Sequence, residues 1–280
     1  MKVLLKITNN MTPFVFSIRS QRFYIYFLRP FRIFLGKTII RARASITTFS
    51  SFPISQVVYY RKISQDGFIS RHHFDFLASE NFIAKINNSS NYIPALGKEK
   101  LRNISYRAHI VNWAANQCLD IDGDFLELGT WYGILSKNIC EQFDLAQHGK
   151  ELYLMDTWGD PNRQIHPDPH YQSDIYSEVA NRFQTYSFVK LIRGWVPDDM
   201  NLIQSEKISF LMIDLNSHEP EKAALAYFWP KLSKGGILYL DDYGHPFPKL
   251  RSVVDSFFES RPETILHFAN GVALIIKISD

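Results

Sequence analysis

The sequence predicts an α/β protein built on a doubly wound, mostly parallel sheet of seven strands. From Lys98 onward, apolar residues recur by turns at strand spacing and at helix spacing, which is typical of crossover units with helices on both faces of a sheet. Hydrophobic residues make up 46% of the 280 residues, which is enough for a large core. An Asn270-Gly271 turn indicates a final hairpin, so one strand there should run antiparallel to the others.

The predicted elements follow one another in a regular order. A long amphipathic helix begins after Lys98 and ends near the Asp122-Gly123 turn. The strands are expected at residues 124–128, 151–156, 188–193, 208–214, 236–241, 263–268 and 272–278. The helices between them are expected at residues 131–144, 174–186, 220–229 and 247–260. Open parallel sheets bind ligands beyond the carboxyl ends of their strands, so the residues at those ends are the candidates for function.

The first 62 residues differ in charge from the rest of the chain. They hold eleven Lys and Arg and no Asp or Glu, whereas the remaining residues hold 20 basic and 28 acidic side chains. This contrast divides the chain into a basic N-terminal extension at 1–62, a helical lid or connector at 63–95 and a main domain at 96–280. Within the connector, the polar cluster at 87–91 is expected to form a loop.

Four roles are open for the basic extension. It could be an arm packed on the main domain, a cleavable organelle-targeting segment, or a peripheral membrane segment in which each Lys or Arg contributes about 1 kcal/mol. Nucleic-acid binding is the fourth, but no basic motif supports it and no nucleic acid is expected as a partner. The apolar run at 23–28 is too short to cross a bilayer. Oligomeric state stays open, and a homo-oligomer is compatible with the sequence.

The cysteine content bears on the compartment. Cys118 and Cys140 are the chain's 2 cysteines, and they form neither a disulfide framework nor a zinc pattern. A reducing, cytoplasmic location is therefore expected.

The first informative strand end is the turn from Glu127 to Gly133, with the pattern E-x-G-x-x-x-G. A dinucleotide fingerprint would place glycine where Glu127 stands. A carboxylate there repels a pyrophosphate but accepts hydrogen bonds from an ammonium or a hydroxyl, so the turn favours a cationic adenosine ligand over NAD. The next strand ends at Asp156, which can hold both hydroxyls of a ribose or, alternatively, cap the following segment.

Acidic residues also end two further strands. Asp214 follows ISFLMI, and Asp241-Asp242 follow GILYL. Adjacent strands would bring these three carboxylates to one edge, where their mutual repulsion is costly unless a cation neutralises it. Hard oxygen ligands suit Mg²⁺, Mn²⁺ or Ca²⁺ better than Zn²⁺. The alternative is that Asp242 caps a helix and Asp214 is a solvated loop residue.

Taken in order, these stretches resemble the macrocin-type O-methyltransferases, a family of class I S-adenosylmethionine-dependent enzymes. FLELGTWYG resembles the family's cofactor loop, YLMDTWGDP its ribose-binding strand end, and LIRGWVPDD its Gly-Trp segment. The most diagnostic block is LMIDLNSHEPEKAALAYFWPKLSKGGILYLDDYG. The resemblance covers about residues 95–280 and implies a Rossmann-like methyltransferase fold.

The resemblance also implies an activity and its cofactors. The expected enzyme methylates a hydroxyl of a small molecule, such as a sugar or glycan-related compound, with S-adenosyl-L-methionine and with Mg²⁺ or another hard divalent cation. The candidate metal ligands are Asp214, Asp241 and Asp242. The candidate cofactor-binding residues are Glu127, Gly129, Thr130, Trp131, Gly133, Asp156 and Trp195.

Two features of this assignment leave alternatives. Trp131, Trp158 and Trp195 could present aromatic faces to the sulfonium or the adenine, or could pack in the core. For the base that takes the hydroxyl proton, Asp214 is the first candidate and the two imidazoles of His245 and His218 are the second.

The chain departs from the family after Asp214. The family usually continues with Gly-Asp and an aromatic-acidic-Ser/Thr stretch, whereas this chain has the residues LNSHE at 215–219. The acceptor pocket is therefore expected to differ, and whether the segment preserves activity is open. Two other functions compete with an active enzyme. One is a non-catalytic S-adenosylmethionine-binding module tethered by its basic arm, and the other is an NAD-dependent oxidoreductase, which Glu127 disfavours.

Overall fold

The structure is a computed structural model. It describes residues 74–90, 104–160, 172–244 and 248–279, and short strands within the first 70 residues. The chain divides into two compact units, Met1–Asp75 and Phe76–Asp280. The described part of the first unit consists of antiparallel strand pairs: Lys2–Leu5 with Phe14–Ser17, Phe23–Tyr24 with Tyr60–Arg61, and Ile63–Gln65 with Phe68–Ser70. The other residues of the predicted extension lie outside the described residues, and its role stays a prediction.

Seven strands of the second unit form one sheet. They are β1 Asp124–Leu128, β2 Leu152–Asp156, β3 Val189–Arg193, β4 Ile208–Ile213, β5 Leu232–Leu240, β6 Leu266–His267 and β7 Ala273–Ile276. Their spatial order is β3-β2-β1-β4-β5-β7-β6. Strands β1 to β5 are parallel, and β7 runs antiparallel to both of its neighbours. The predicted fold class is confirmed, including the single reversed strand. The strand order reverses between β1 and β4, which is where open sheets of this kind bind ligands.

Six helices accompany the strands in the described part of this unit. They are α1 Glu80–Ser90, α2 Ser105–Cys118, α3 Ile134–Gln142, α4 Tyr176–Phe183, α5 His218–Phe228 and α6 Pro248–Phe258. The predicted helix positions from α3 onward are confirmed to within a few residues. Helix α2 lies within the first predicted helix, whose residues 98–103 are outside the described residues. Among the described residues, no helix is both long enough and apolar enough to cross a membrane.

Alternating residues of the strands fill two apolar layers, one on each face of the sheet. Phe125 packs on one side with Val111 of α2 and Ile139 of α3. Its neighbour Leu126 packs on the other side with Leu225 of α5 and Val254 of α6. Because both faces are covered, the strands are almost continuously apolar, as parallel strands usually are. Polar side chains are thereby concentrated at the strand ends.

The structure corrects two predictions within the connector. The cluster at 87–91 was expected to be a loop, yet α1 continues to Ser90. Asn and Ser are weak helix formers, but Ile86 and Ser89 are buried there and the Ser89 hydroxyl donates to the Lys85 carbonyl, so packing overrides propensity. The first part of the connector is a strand pair and not helical. The sequence Asp66-Gly67 between those strands is a hairpin signal that the helical interpretation missed.

Candidate active site

The turn after β1 lies against the end of β4. The Gly129 N–H donates to the Met155 carbonyl at 2.9 Å, and the Asp214 N–H donates to the Leu128 carbonyl at 2.9 Å. Gly129 has a φ of 84°, and a Cβ on it would lie 1.8 Å from the carbonyl oxygen of Asp214. Only glycine fits this conformation and this spacing. The predicted cofactor turn and the first predicted metal ligand are therefore in backbone contact.

Glu127 lies beneath this turn and is almost fully buried. It is 3% exposed, and its Oε2 accepts a hydrogen bond of 2.5 Å from the Ser136 hydroxyl of α3. Burial raises the pKa of Glu127 to about 8, and the Ser136 hydrogen bond only partly opposes this shift. A cationic group placed beside Glu127 would favour the ionised carboxylate. The residue is thus suited to the ammonium of an amino acid.

Asp156 at the end of β2 joins two loops. Its Oδ2 accepts the Trp131 N–H at 2.7 Å, and its Oδ1 accepts the Trp158 N–H at 2.8 Å and the Thr157 hydroxyl at 3.3 Å. Burial raises the pKa of Asp156, and these donors oppose the shift. A carboxylate offers about four acceptor positions. The chain thus supplies donors to both oxygens, and a ribose hydroxyl would share these acceptor positions.

The two tryptophans that Asp156 holds have unusual backbones. Trp131 has a φ of 48° and Trp158 a φ of 45°, in the left-handed region where bulky residues are strained. The Trp158 indole N–H donates to the Trp131 carbonyl at 2.7 Å, and Trp158 is 1% exposed. Trp158 is therefore a core residue that links the loops, while Trp131 stays partly buried against Tyr132, with ring centroids 4.8 Å apart.

Trp195 lies beside the same strand end. The Gly194 N–H before it donates to the Asp156 carbonyl at 3.0 Å, and the Trp195 N–H donates to Asp199 Oδ2 at 2.8 Å. Its indole N–H is buried, and none of the described residues accepts a hydrogen bond from it. Buried indole donors normally have an acceptor. Trp195 therefore offers an unused donor near Asp156.

The three aspartates predicted as metal ligands are brought together. One carboxylate oxygen of each of Asp214, Asp241 and Asp242 lies within 4.8 Å of the others. Burial and then the charges of Asp241 and Asp242 raise the pKa of Asp214 well above its usual range, and Arg107 opposes this shift. Carboxylate oxygens at these separations can surround one hard divalent ion. The residues present therefore fit such an ion.

Sequence reasoning missed Arg107. It lies in the first turn of α2, and its guanidinium forms an ion pair with Asp241 Oδ2. The Tyr239 hydroxyl donates to Asp241 Oδ1 at 2.6 Å. Asp241 is 4% exposed, so these donors support a carboxylate that is almost out of water. An Arg is common in a helix that buries one apolar face. Nothing in the sequence around Arg107 indicates that its side chain will contact the end of a strand.

The candidate bases differ in where they lie. Asp214 is a member of the carboxylate group, and its Oδ1 accepts a 3.3 Å hydrogen bond from the Asn216 amide. His218 begins α5, its side chain is 37% exposed, and its imidazole pairs with the exposed Glu219 at 3.5 Å. His245 lies outside the described residues. The geometry thus favours Asp214 among the candidates that the structure describes.

The fold and the site define a class of protein. The strand order and the glycine turn after β1 are those of a Rossmann-like fold. The solved structure of the O-methyltransferase NovP resembles the chain with a TM-score of 0.57 at 17% identity, covering 71% of this chain and 98% of that one. This likeness supports the fold.

The family follows from the sequence match. Residues 47–265 match the family described as Macrocin-O-methyltransferase (TylF), and the chain belongs to that family. The resemblance to the macrocin-type O-methyltransferases is confirmed. Its match to mycinamicin III 3''-O-methyltransferase of Micromonospora griseorubida is 27% identical and covers 54% of this chain but 65% of that enzyme, less than two thirds of its length. Its match to demethyldecarbamoylnovobiocin O-methyltransferase of Streptomyces niveus is 24% identical and covers 61% of this chain and 82% of that enzyme.

Proposed function

We propose that the chain is a divalent-cation-assisted O-methyltransferase that transfers the methyl group of S-adenosylmethionine to a hydroxyl of a small sugar or glycan-related molecule. The observation that carries the proposal is the backbone contact between the Gly129 turn and Asp214. The methyl donor is expected at the Gly129 turn and the acceptor hydroxyl at Asp214, so this contact would bring the two reactants together. The names of the two relatives, which give mycinamicin III and demethyldecarbamoylnovobiocin as the compounds they methylate, support a small-molecule acceptor.

The strand ends of β1 to β3 would bind the cofactor. Glu127 would accept hydrogen bonds from its ammonium, and Gly129 and Gly133 would let the turn approach its methionine part. Asp156 would hold one ribose hydroxyl. The Trp195 indole N–H would donate to a ring nitrogen of the adenine. None of the described residues accepts a hydrogen bond from this indole, so the adenine would supply the missing acceptor. Thr130 and Trp131 would complete the wall of the turn.

The strand ends of β4 and β5 would hold the acceptor. Asp214, Asp241 and Asp242 would bind the divalent cation, which supplies a Lewis acid that makes a coordinated hydroxyl more acidic. Arg107 would keep Asp241 oriented and offset part of the negative charge. Together these groups would fix the hydroxyl oxygen in line with the methyl group, and such positioning is most of what methyl transfer requires.

The proton of the hydroxyl needs an acceptor as the reaction proceeds. The oxygen–carbon bond forms while the carbon–sulfur bond breaks, and the sulfonium leaves as a neutral thioether. Asp214 would receive the proton, because it lies in the carboxylate group that would hold the hydroxyl. His218 and His245 are the second candidates.

Calorimetry tests the proposal without knowledge of the acceptor. The purified chain should bind S-adenosylmethionine and not NAD, and it should bind Mg²⁺ or Mn²⁺ at one site. Asp242→Asn should lose the cation and keep the cofactor. Equal cation binding by this variant and the wild type would exclude the three aspartates as the metal site, and binding of NAD alone would exclude the methyltransferase proposal.

A further inference from the structure

One buried carboxylate near the carboxyl edge has no assigned role. Glu221 of α5 is 4% exposed, whereas the side chain of Glu219, two residues earlier, is 74% exposed. The buried residues of α5 are Glu221, Ala224, Leu225 and Phe228. This spacing is one helix face, the face that packs against the sheet. Glu221 is the first member of that face, and α5 begins directly after the loop that follows β4. The side chain therefore lies at the end of the apolar layer nearest the aspartates.

The electrostatic surroundings agree with this position. Burial, followed by the negative charges of Asp242 and Asp241, raises the pKa of Glu221 to about 8. These two aspartates are also members of the carboxylate group described above. Glu221 is thus close enough to the proposed cation ligands for their charges to act on it.

Glu221 differs from the other buried charged side chains. Six are buried among the described residues: Glu127, Lys150, Glu221, Asp241, Glu263 and Lys277. Five of them have hydrogen-bond partners. Lys150, for example, donates to the Gly123 carbonyl at 2.7 Å and to the Ser209 hydroxyl at 3.2 Å, and Glu263 accepts from Ser279 at 2.5 Å. No described residue donates a hydrogen bond to Glu221. A carboxylate without a donor in the fold takes its hydrogen bonds from water or from a ligand.

Two kinds of ligand could satisfy such a group, namely a cation or a hydrogen-bond donor. Both would be present if a hydrated divalent ion were bound by the neighbouring aspartates, because its waters are strong donors. Mutation of the groups that hydrogen-bond the ligands of an ion typically lowers its affinity by about 10- to 100-fold. A structural role would instead give Glu221 a partner in the fold, as it does for the other five.

We propose that Glu221 is a fourth carboxylate of the cation site, which accepts hydrogen bonds from the water or hydroxyl ligands of an ion held by Asp214, Asp241 and Asp242. This inference rests on the cation site of the proposed function. When all are ionised, as a bound cation would favour, the three aspartates and Arg107 carry a formal charge of about −2, and Glu221 adds a further negative charge. The fourth carboxylate raises the preference for a divalent over a monovalent cation.

Manganese binding to the purified, cofactor-free chain tests this role directly. Calorimetry or the electron paramagnetic resonance of free Mn²⁺ gives the affinity without any methyl acceptor. Glu221→Gln should weaken Mn²⁺ binding by about tenfold or more. The matched control is Glu219→Gln, which removes the same charge from an exposed position of the same helix and should leave the affinity unchanged. Equal affinities of the Glu221→Gln variant and the wild type would overturn the proposal.

Two further measurements show whether a negative result concerns the role of Glu221 alone or the whole cation site. If Asp242→Asn loses Mn²⁺ while Glu221→Gln keeps it, the role of Glu221 is wrong and the proposed function stands. If the wild type binds no Mn²⁺, the cation site itself is wrong, and the role of Glu221 with it. Gln is nearly isosteric with a protonated Glu, so the thermal unfolding midpoint of the cation-free variant should match the wild type. A variant that fails to fold would also overturn the proposal, because the carboxylate would then have a structural partner.

Discussion

The carboxyl edge of the sheet has two parts, a cofactor half at the ends of β1 to β3 and a cation half at the ends of β4 and β5. The carboxylates of the two halves differ in their hydrogen-bond and charge partners. On the cofactor half, Glu127 and Asp156 are held by donors of the chain itself, namely the Ser136 hydroxyl and the N–H groups of Trp131 and Trp158. On the cation half, Asp214, Asp241 and Asp242 each bring one carboxylate oxygen to within 4.8 Å of the others, and Arg107 is paired with Asp241. Glu221 lies on the buried face of the neighbouring helix α5. The cofactor half is thus preorganised by the fold, whereas the cation half concentrates negative charge at one place.

The largest effect is expected where the two halves touch. Gly129→Ala would place a Cβ 1.8 Å from the Asp214 carbonyl oxygen, so the turn or the end of β4 must move. We expect loss of both S-adenosylmethionine and Mn²⁺ binding, and a fall in unfolding free energy of at least about 3 kcal/mol. Calorimetry and denaturant unfolding measure these quantities.

Gly149→Ala provides the matched control. Gly149 also has a positive φ, of 64°, but a Cβ there would meet no atom within 4 Å. This variant should lose only the roughly 1–2 kcal/mol that a left-handed backbone costs, and should bind both ligands. If Gly129→Ala behaves like Gly149→Ala, the two halves are not coupled through this contact.

Arg107→Met should affect the cation half alone. It should lower the stability of the cation-free protein and raise its affinity for Mn²⁺. Removing the guanidinium leaves Asp241 without its charged donor, so the cation-free protein should lose about 1.5–3 kcal/mol of stability. Mn²⁺ binding should become tighter, because a positive charge beside the site is gone. Arg251→Met, which removes an exposed ion pair, should change neither. Weaker Mn²⁺ binding by Arg107→Met would show that Arg107 orients the site more than it competes with the ion.

Trp158→Phe should act on the cofactor half alone. It removes the indole N–H from the Trp131 carbonyl, and an unsatisfied buried acceptor costs about 1–3 kcal/mol. We expect a lower unfolding free energy and weaker S-adenosylmethionine binding, with Mn²⁺ binding unchanged. Trp113→Phe is the control, because Trp113 is 47% exposed. Unaltered cofactor binding by Trp158→Phe would mean that the turn keeps its shape without this link.

The smallest expected effect is a pH dependence of stability and of cofactor affinity, caused by the ionisation of Glu127. Its pKa of about 8 in the folded protein lies above its ordinary value, so the ligand-free protein gains stability from the protonated form and loses it as pH rises toward 8. Binding an ammonium requires the ionised form, so cofactor affinity should rise with pH, by about tenfold per unit, until the ammonium itself starts to lose its proton near pH 7.7. Calorimetry between about pH 6 and pH 7.5 measures the slope. Glu127→Gln should bind weakly and show no slope, and a wild type without a slope would contradict the assignment.

The sequence predicted the parts of the molecule that depend on local pattern. Alternating apolar periods predicted the strands and helices after residue 104, and strand-end residues such as Gly129, Asp156 and Asp214 were found because parallel strands end at one edge. The resemblance added the family, which the match over residues 47–265 confirms.

The residues that the sequence did not reveal act over long distances or through packing. Arg107 reaches Asp241 across 134 positions of sequence, and no local motif encodes that pair. Glu is usually a solvated residue of a helix, and in the sequence Glu221 looks like Glu219. Only its position on the buried face of α5 distinguishes the two. The cluster at 87–90 is helical because Ile86 and Ser89 are buried, a tertiary effect that propensity cannot show.

The central claim is that the methyl donor and a bound cation share one edge of the sheet. Nuclear magnetic resonance of S-adenosylmethionine labelled with ¹³C in its methyl group tests it, because bound Mn²⁺ broadens the signals of nearby nuclei. Mn²⁺ should broaden the methyl signal of the cofactor bound to the wild type, and should leave it sharp in Asp242→Asn. A methyl signal that stays sharp while the wild type binds both the cofactor and Mn²⁺ would contradict the account.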